Sequence, residues 1–451
     1  MDISDFSDVA NSDDQLENHL REFLDRASDR LDGRDIPSTT VSQLQAKDGY
    51  AEHKEIKRPD LGNLIAEIDW LEDCNEAIQL SNFLEKEHRM EIDAHYISKL
   101  LVDAFGNNGA DLNSYSGKIG EIEDKIVMDA NGIGKAELIA PLDGLKIETD
   151  CVMVNQDIEI RNFKDGEILG EDSLPVLTGS LTGDERVYDH SYLHIEINES
   201  DELYKSPEQA IELYTMGLSL SLGGWIQASR IYINSVSYKM VNRQLPLVPG
   251  GRKSYSTKID SKNASQVQKT LSLLKQYYNL TDQQYDPPFS AMYDFQPPTN
   301  IAIGHYGNSV QMWKIPHISV TFAIIGLESL YLQHTAGNTA SSEVPQFVGF
   351  LLGNTVNEFD PLTISEYVAK GYHFRNQWAH GSKSSHEPSD LQTKLWSILR
   401  ASIVVYGWLD SNTSILNHGL AISDAFVDES TRNSLKDELD QLNLGDYMPI
   451  R

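Results

Sequence analysis

The spacing of apolar residues changes twice along this chain of 451 residues, and these changes limit the folds that it can adopt. Before about residue 138, apolar residues recur every three to four positions, which is the spacing of one helix face. Between about residues 138 and 240 they alternate with polar residues, as in half-buried strands. From Val267 onwards the helical spacing returns. The sequence therefore predicts an α+β protein in which a β-containing N-terminal and middle region is followed by an all-α helical bundle.

The same pattern divides the chain into five predicted segments. In the first of them, residues 16–31 trace an amphipathic helix and residues 33–49 are predicted to form a linker. A Pro-rich loop before residue 300 sets the main boundary, and a last helix is predicted over residues 423–442. The segments are an acidic N-terminal segment over 1–50, a helical entry region over 51–137, a β-rich α+β domain over 138–300, a helical domain over 301–425, and a C-terminal helix or tail over 426–451.

Alternation within residues 145–160 predicts a β-hairpin. The alternate positions of its first strand are Leu145, Ile147, Thr149, Cys151 and Met153. A turn is predicted at residues 154–157, and the return strand begins at Ile158. Further strands are predicted around residues 193–197 and 231–233, where apolar residues alternate again.

Neither a metal site nor a disulfide framework is indicated by the sequence. Cys74 and Cys151 are the two cysteines, and they lie far apart without C-x-x-C spacing. His190 and His194 are four residues apart in an alternating segment, which places them on one face of a strand. Because no third ligand lies nearby in the sequence, both histidines are predicted to face solvent.

The location of the protein is predicted from three features. Residues 1–16 are rich in Asp and Ser and lack the basic and apolar regions of a signal peptide. The longest apolar stretch, residues 315–332, is interrupted by polar residues, which predicts a buried helix instead of a membrane span. Two cysteines without paired spacing fit a reducing compartment. The sequence predicts a soluble, cytoplasmic protein without a membrane partner.

The chain is strongly acidic, with a formal net charge of −31. Phosphate affinity comes mainly from Lys and Arg, which release counterions from nucleic acid, so the charge argues against broad nonspecific nucleic-acid binding. Any nucleic-acid site must be locally basic. The acidity also fits a solvated surface in a salty cytoplasm, and the sequence leaves open whether the source is halophilic.

The strongest candidate for a catalytic motif is the run Arg375-Asn376-Gln377-Trp378-Ala379-His380, which is followed by Gly381. Residues 364–380 have helical spacing, and Gly is typical just past a helix end. Asn376 and His380 share one face, while Arg375 lies about 140° around the helix from His380. Because the two side chains point in different directions from the helix, they would contact a phosphate from two sides. This arrangement favours a site that a second chain completes. The negative end of the helix dipole stabilises a protonated His380.

This run resembles the R-x4-6-H signature of HEPN domains, in which a polar residue, often Asn, follows the Arg. Residues 322–331 resemble the helix that carries an acidic residue in the ApeA-like HEPN group, with Glu328 as that residue. Residues 391–409 supply another apolar helix, so the resemblance covers about residues 316–410. It implies that the all-α bundle is HEPN-like. Residues 138–200 are similar to β-segments found upstream of HEPN domains in this group.

The resemblance implies a function. Catalytic HEPN proteins are metal-independent endoribonucleases, usually homodimers whose paired motifs face each other. Arg375 and His380 are then the catalytic residues, Asn376 orients His380 or the phosphate, and Glu328 accepts a hydrogen bond from Arg375. The RNA is cleaved by attack of its own 2′-hydroxyl, which leaves a 2′,3′-cyclic phosphate, with no cofactor and no metal.

The resemblance also implies a setting. Proteins of the ApeA-like group are prokaryotic antiviral-defence or toxin-type effectors, and the β-rich domain over residues 138–300 would then be a sensor. The sequence identifies neither a trigger ligand nor a phage or partner protein that would activate it.

A second interpretation stays open, because some HEPN proteins bind or scaffold without cutting. The dimer is then an RNA-binding or protein-interaction module, in which Arg375 makes an ordinary ion pair and His380 caps the last carbonyls of the helix. Phe374 and Trp378 are predicted to be core or dimer-interface anchors instead of base-stacking platforms.

Four cations are further candidates for RNA contact. Lys370 and Lys383 flank the motif. Arg252 and Lys253 belong to one of the few cationic stretches of the chain, although an ordinary turn is the competing interpretation. The other cations of that stretch are Lys239, Arg243 and Lys258.

Overall fold

The computed structural model describes residues 5–32, 38–47, 50–59, 74–90, 92, 94–105, 114–132, 134–162, 168–172, 191–198, 207–228, 230–235, 243–246, 257–278, 298–332, 339–353, 355, 360–381, 388–412 and 421–448. Within these residues every strand lies before residue 260 and only helices follow, so the chain is α+β. None of the described helices is both long and apolar enough to cross a membrane.

The elements are numbered in chain order over the described residues. The helices are α1 Asp5–Leu31, α2 Asn75–Glu87, α3 Ala94–Phe105, α4 Ile119–Ala130, α5 Pro207–Leu222, α6 Ala264–Tyr278, α7 Pro298–Gln311, α8 Pro316–Tyr331, α9 Ala340–Gly353, α10 Pro361–Ala379, α11 Pro388–Asn412, α12 Ala421–Val427 and α13 Glu429–Leu439. The strands are β1 Ser38–Lys47, β2 Tyr50–Pro59, β3 Lys135–Asp143, β4 Leu145–Ile147, β5 Cys151–Met153, β6 Ile158–Asn162, β7 Ile168–Asp172, β8 Ser191–Asn198, β9 Gln227–Ala228, β10 Arg230–Ser235, β11 Arg243–Pro246 and β12 Thr257–Ile259.

Helices α1 to α4 share the first hydrophobic core. Leu20, Phe23 and Leu24 of α1 are fully buried, and α1 packs against α2 and α4. The predicted amphipathic helix is therefore present, and its apolar stripe joins the helices that follow it. The division of the chain into five segments stays a prediction.

The prediction of a linker over residues 33–49 is wrong. Strand β1 lies in this segment and pairs antiparallel with β2, from Ser38 opposite Pro59 to Lys47 opposite Tyr50. Strand β7 pairs with the other edge of β1. The dipeptide Asp48-Gly49 separates β1 from β2 in the sequence, and Asp-Gly is a strong hairpin signal that outweighs the polar composition of the segment.

The larger sheet has the strand order β11-β10-β3-β8-β6-β5, with β9 pairing the end of β3. All of these pairs are antiparallel. Leu193, Ile195 and Ile197 of β8 are buried in a core that also contains residues of α5 and α6. The strand predicted around residues 193–197 is confirmed, and one face of the sheet is covered by helices.

The predicted β-hairpin is present, but its first strand is shifted in phase. Strands β5 and β6 pair antiparallel, with Val152 opposite Ile160. Val152 is buried, whereas Cys151 and Met153 are exposed. The alternation predicts that Cys151 and Met153 share the face of Leu145, which is buried. The strand is interrupted at residues 148–150, and this break reverses which side chains face the core.

Helices α7 to α11 pack around a third core, in which α8 contacts α7, α9, α10 and α11. Gly371 of α10 permits a close approach. A Cβ atom at this position would lie 2.8 Å from Ile324 Cδ1 and 3.0 Å from Leu395 Cδ1. This contact fixes α10 against α8 and α11, and it thereby positions the last turn of α10.

The prediction of one helix over residues 423–442 is wrong, because two helices, α12 and α13, occupy this region. Asp428 lies between them and caps α13, since its carboxylate accepts a hydrogen bond of 2.6 Å from the Thr431 backbone N–H. An Asp at this position satisfies a free N–H group of the first turn and so favours a helix start. The hydroxyl of Thr270 donates to the Tyr447 carbonyl, which docks the residues after α13 on α6.

Candidate functional site

The motif lies at the C-terminal end of α10, as predicted. The helix begins after Asp360, whose carboxylate accepts a hydrogen bond of 2.9 Å from the Thr363 backbone N–H. At the other end the His380 N–H donates to the Asn376 carbonyl at 3.1 Å. Gly381 follows with φ of +71°, a conformation that favours Gly. His380 is therefore the C-cap residue of α10.

Arg375 is held by a carboxylate on the neighbouring helix. Its Nη1 atom donates to both carboxylate oxygens of Glu328 on α8, each at 3.0 Å. The Arg375 side chain is 27% exposed and that of Glu328 is 16% exposed. The hydrogen bond predicted between these residues is present. In the described part of the chain, Nε and Nη2 of Arg375 make no hydrogen bond, so these donors remain for another anion.

The aromatic ring of Tyr372 completes the surroundings of Arg375. The guanidinium carbon lies 5.0 Å from the ring centroid, within the range of a cation–π contact. Burial, together with the charge of Glu328, raises the pKa of the Tyr372 hydroxyl. The ring, the guanidinium and the carboxylate therefore form one packed group between α8 and α10.

His380 and Asn376 differ from Arg375 in their surroundings. Both are exposed, and among the described residues neither side chain has a hydrogen-bonding partner. The Arg375 guanidinium extends towards Glu328 on α8, whereas His380 lies five residues later at the C-cap of α10. The structure brings Arg375 to Glu328 and does not join Arg375 to His380 by a hydrogen bond.

Trp378 does not lie in the core. Its side chain is 52% exposed, whereas Phe374 is buried. The indole stacks on the imidazole of His317, with ring centroids 4.2 Å apart and an angle of 16° between the planes. The prediction of a core anchor is confirmed for Phe374 and wrong for Trp378. A dimer-interface role for Trp378 stays a prediction.

The sequence around this site lacks acidic residues. Asp and Glu account for 68 of the 451 residues, yet none occurs at residues 295–327 or 367–386. These two acid-free segments meet where His317 stacks on Trp378. Two of the acids that border them are Glu328, which is bound to Arg375, and Glu366, whose carboxylate lies 3.5 Å from Lys370 Nζ. The region is therefore less acidic than the chain as a whole.

The other predicted RNA contacts are placed less favourably or are not described. Lys370 is exposed, with its Nζ atom 3.5 Å from the Glu366 carboxylate. Lys383, Arg252 and Lys253 lie outside the described residues. Lys258, from the same cationic stretch as Arg252, forms an ion pair with Glu148.

The prediction of solvent-facing histidines is wrong for His194. Its side chain is buried on β8, with Nδ1 3.0 Å from Glu159 and Nε2 3.6 Å from Glu137. Glu137 is the main cause of the raised pKa of His194. Strand pairing brings these residues together, because Glu159 of β6 lies directly opposite His194. His190 lies outside the described residues.

No arrangement of three or more His, Cys, Asp or Glu side chains suited to a metal ion occurs within the described ranges. A comparison with protein-family models, curated proteins and solved structures found no match. The function is therefore inferred from the site itself.

Sequence reasoning missed the contribution of His317. Its ring reaches Trp378 from another helix, so spacing within either helix carries no sign of the contact. The two acid-free segments are the signal in the sequence that connects these regions.

Proposed function

We propose that this chain is an endoribonuclease of the HEPN type, which cleaves RNA through attack of the 2′-hydroxyl and leaves 2′,3′-cyclic phosphate ends. The observation that carries the proposal is the exposed His380 at the end of α10, near an Arg375 that Glu328 holds in place. The low acidity of the two surrounding segments supports a polyanionic substrate.

The chemistry requires one proton to leave the 2′-hydroxyl and another to reach the departing 5′-oxygen. A neutral imidazole accepts the first proton and a protonated imidazole supplies the second. A homodimer offers one His380 from each chain for these two tasks. The remaining N–H groups of Arg375 would donate to the non-bridging oxygens as negative charge develops on them.

The wider role extends the same proposal. A prokaryotic antiviral-defence or toxin-type effector needs a nuclease that is restrained until a trigger arrives, and the sheet-containing region would provide the sensor. The resemblance of the motif and of its helix order to the ApeA-like group supports this setting.

A noncatalytic HEPN dimer is the second candidate, and one observation favours it. Arg375 already has a partner in Glu328, whose two carboxylate oxygens it contacts, and it packs on Tyr372. An ion pair that stabilises two packed helices would have the same arrangement. In that case the dimer binds RNA or a partner protein, and the motif has a structural role.

The test is cleavage of tRNA and of unstructured RNA in EDTA, with product ends mapped. His380→Ala and Arg375→Ala are expected to abolish cleavage while remaining folded. His373→Ala is the matched control, because His373 is an exposed histidine on the same helix. Cyclic-phosphate products that disappear in the first two variants and persist in the control support the nuclease. Equal cleavage by all forms, or products without cyclic-phosphate ends, overturns it, and absence of cleavage by every form favours the noncatalytic dimer.

A further inference from the structure

We infer that the exposed face of Trp378 is a stacking platform for one unpaired base of the RNA, so that the site selects single-stranded RNA. The inference rests on the proposed function, because it names the class of substrate that this site takes. It reverses the expectation that Trp378 is a core or dimer-interface anchor instead of a base-stacking platform.

The ring stack leaves one face of the indole available and holds that face in place. His317 covers the other face, at 4.2 Å between centroids, and the Trp378 side chain is 52% exposed. A nearly parallel neighbour holds the indole in one orientation, so little freedom is lost when a base stacks on it. Base–aromatic stacking is tolerant of sequence because every base has a π-face.

Trp378 is also well placed relative to the motif. It lies three residues after Arg375 and so projects from the same side of α10. A base on the indole therefore places its phosphate near the donors of Arg375 that Glu328 does not occupy. His380 follows two residues later as the C-cap residue of α10.

The charge of the surrounding surface suits a phosphate backbone. The turn between α7 and α8 carries the exposed Lys314, whose Nζ atom lies 5.3 Å from the ring centroid of Trp313. Gln392 of α11 fixes this turn by donating to the Trp313 carbonyl at 3.1 Å. The turn belongs to an acid-free segment.

The indole face also determines which secondary structure of RNA can bind. Bases inside a duplex are stacked on each other and present no free face, whereas loops and single strands do. A platform at the motif therefore selects an unpaired nucleotide.

The experiment measures binding of a fluorescein-labelled single-stranded RNA, with His380→Ala as the common background so that cleavage does not interfere. Added to it, Trp378→Ala is expected to weaken binding by about 5- to 150-fold, the range for loss of one stacked base. Trp378→Phe keeps a ring and should lose less. Leu362→Ala is the control, because Leu362 is a 74% exposed apolar residue at the opposite end of the same helix.

A matched set of RNAs with one abasic position each separates stacking from general loss of structure. With Trp378 present, one abasic position should weaken binding as much as Trp378→Ala does. In the Trp378→Ala protein the same abasic position should cause no further loss. A variant that is merely misfolded would not remove the effect of one base so selectively.

Four results would overturn the inference. Unchanged affinity in Trp378→Ala would exclude the platform, while the cleavage assay would still decide the proposed nuclease independently. A change in oligomeric mass with unchanged RNA affinity would assign Trp378 to an interface between copies. Tighter binding to a matched duplex than to the single strand, or no RNA binding by any form, would exclude selection of an unpaired base.

Discussion

At the scale of single residues, two contacts join α8 to the end of α10: the Glu328–Arg375 pair and the stack of His317 on Trp378. The pairing of Glu328 with Arg375 is expected because the motif resembles a known arrangement, and the hydrogen bonds are present. The surroundings of Trp378 depend on where the start of α8 lies. The spacing of Trp378 within α10 carries no information about the position of α8. For this reason the predicted core location of Trp378 is wrong.

The Glu328–Arg375 pair should contribute more to stability than an exposed ion pair. Glu328→Ala is expected to lower the free energy of unfolding by about 1.5–3 kcal/mol, because it leaves a partly buried guanidinium without its charged acceptor. The control is Glu366→Ala, which removes the exposed partner of Lys370 and should cost less than about 0.5 kcal/mol. Urea denaturation followed by the fluorescence of the bundle tryptophans measures both. Equal effects would show that the Glu328 pair stabilises no better than a surface pair.

At the scale of helices and strands, the sequence predicts those elements whose apolar pattern is long and regular. Helix α10 ends where its Gly stop predicts, and α1 buries the predicted stripe. The errors occur where a short local signal overrides composition, as with the Asp48-Gly49 dipeptide before β2 and the Asp428 cap before α13. Composition averages over a window, and a turn or cap is decided by one or two residues.

The packing of α10 on α8 should depend on the absence of a side chain at Gly371. Gly371→Ala is expected to destabilise the bundle by about 1–3 kcal/mol, because its Cβ would lie 2.8 Å from Ile324 Cδ1. Gly120→Ala in α4 is the control, since no atom lies within 4 Å of the added Cβ. It should be neutral or stabilise by up to about 1 kcal/mol. Thermal unfolding of the two variants compares them, and a similar loss in both would refute the steric argument.

At the scale of the whole molecule, the net charge of −31 predicts that any RNA site must be locally basic. The arrangement of that site is not predictable from the sequence, because it requires the start of α8 to meet the end of α10. An RNA strand can approach the acid-free segments without repulsion, and these segments form only a small part of the chain. The number of phosphates in contact should therefore be small.

The salt dependence of RNA binding counts these phosphates. For single strands each neutralised phosphate contributes about −0.7 to the slope of log affinity against log salt, so two or three contacts predict a slope of about −2. Lys314→Ala should make the slope shallower by about 0.7, because it removes one cation from the turn before α8. Lys86→Ala is the control, since Lys86 is exposed on α2 in a different core and pairs with Glu87. Titrations from about 50 to 200 mM salt with the His380→Ala protein measure the slopes. A much steeper slope, or one that Lys86→Ala changes as much as Lys314→Ala, would mean that RNA is held by cations spread over the molecule and not by the surface at the end of α10.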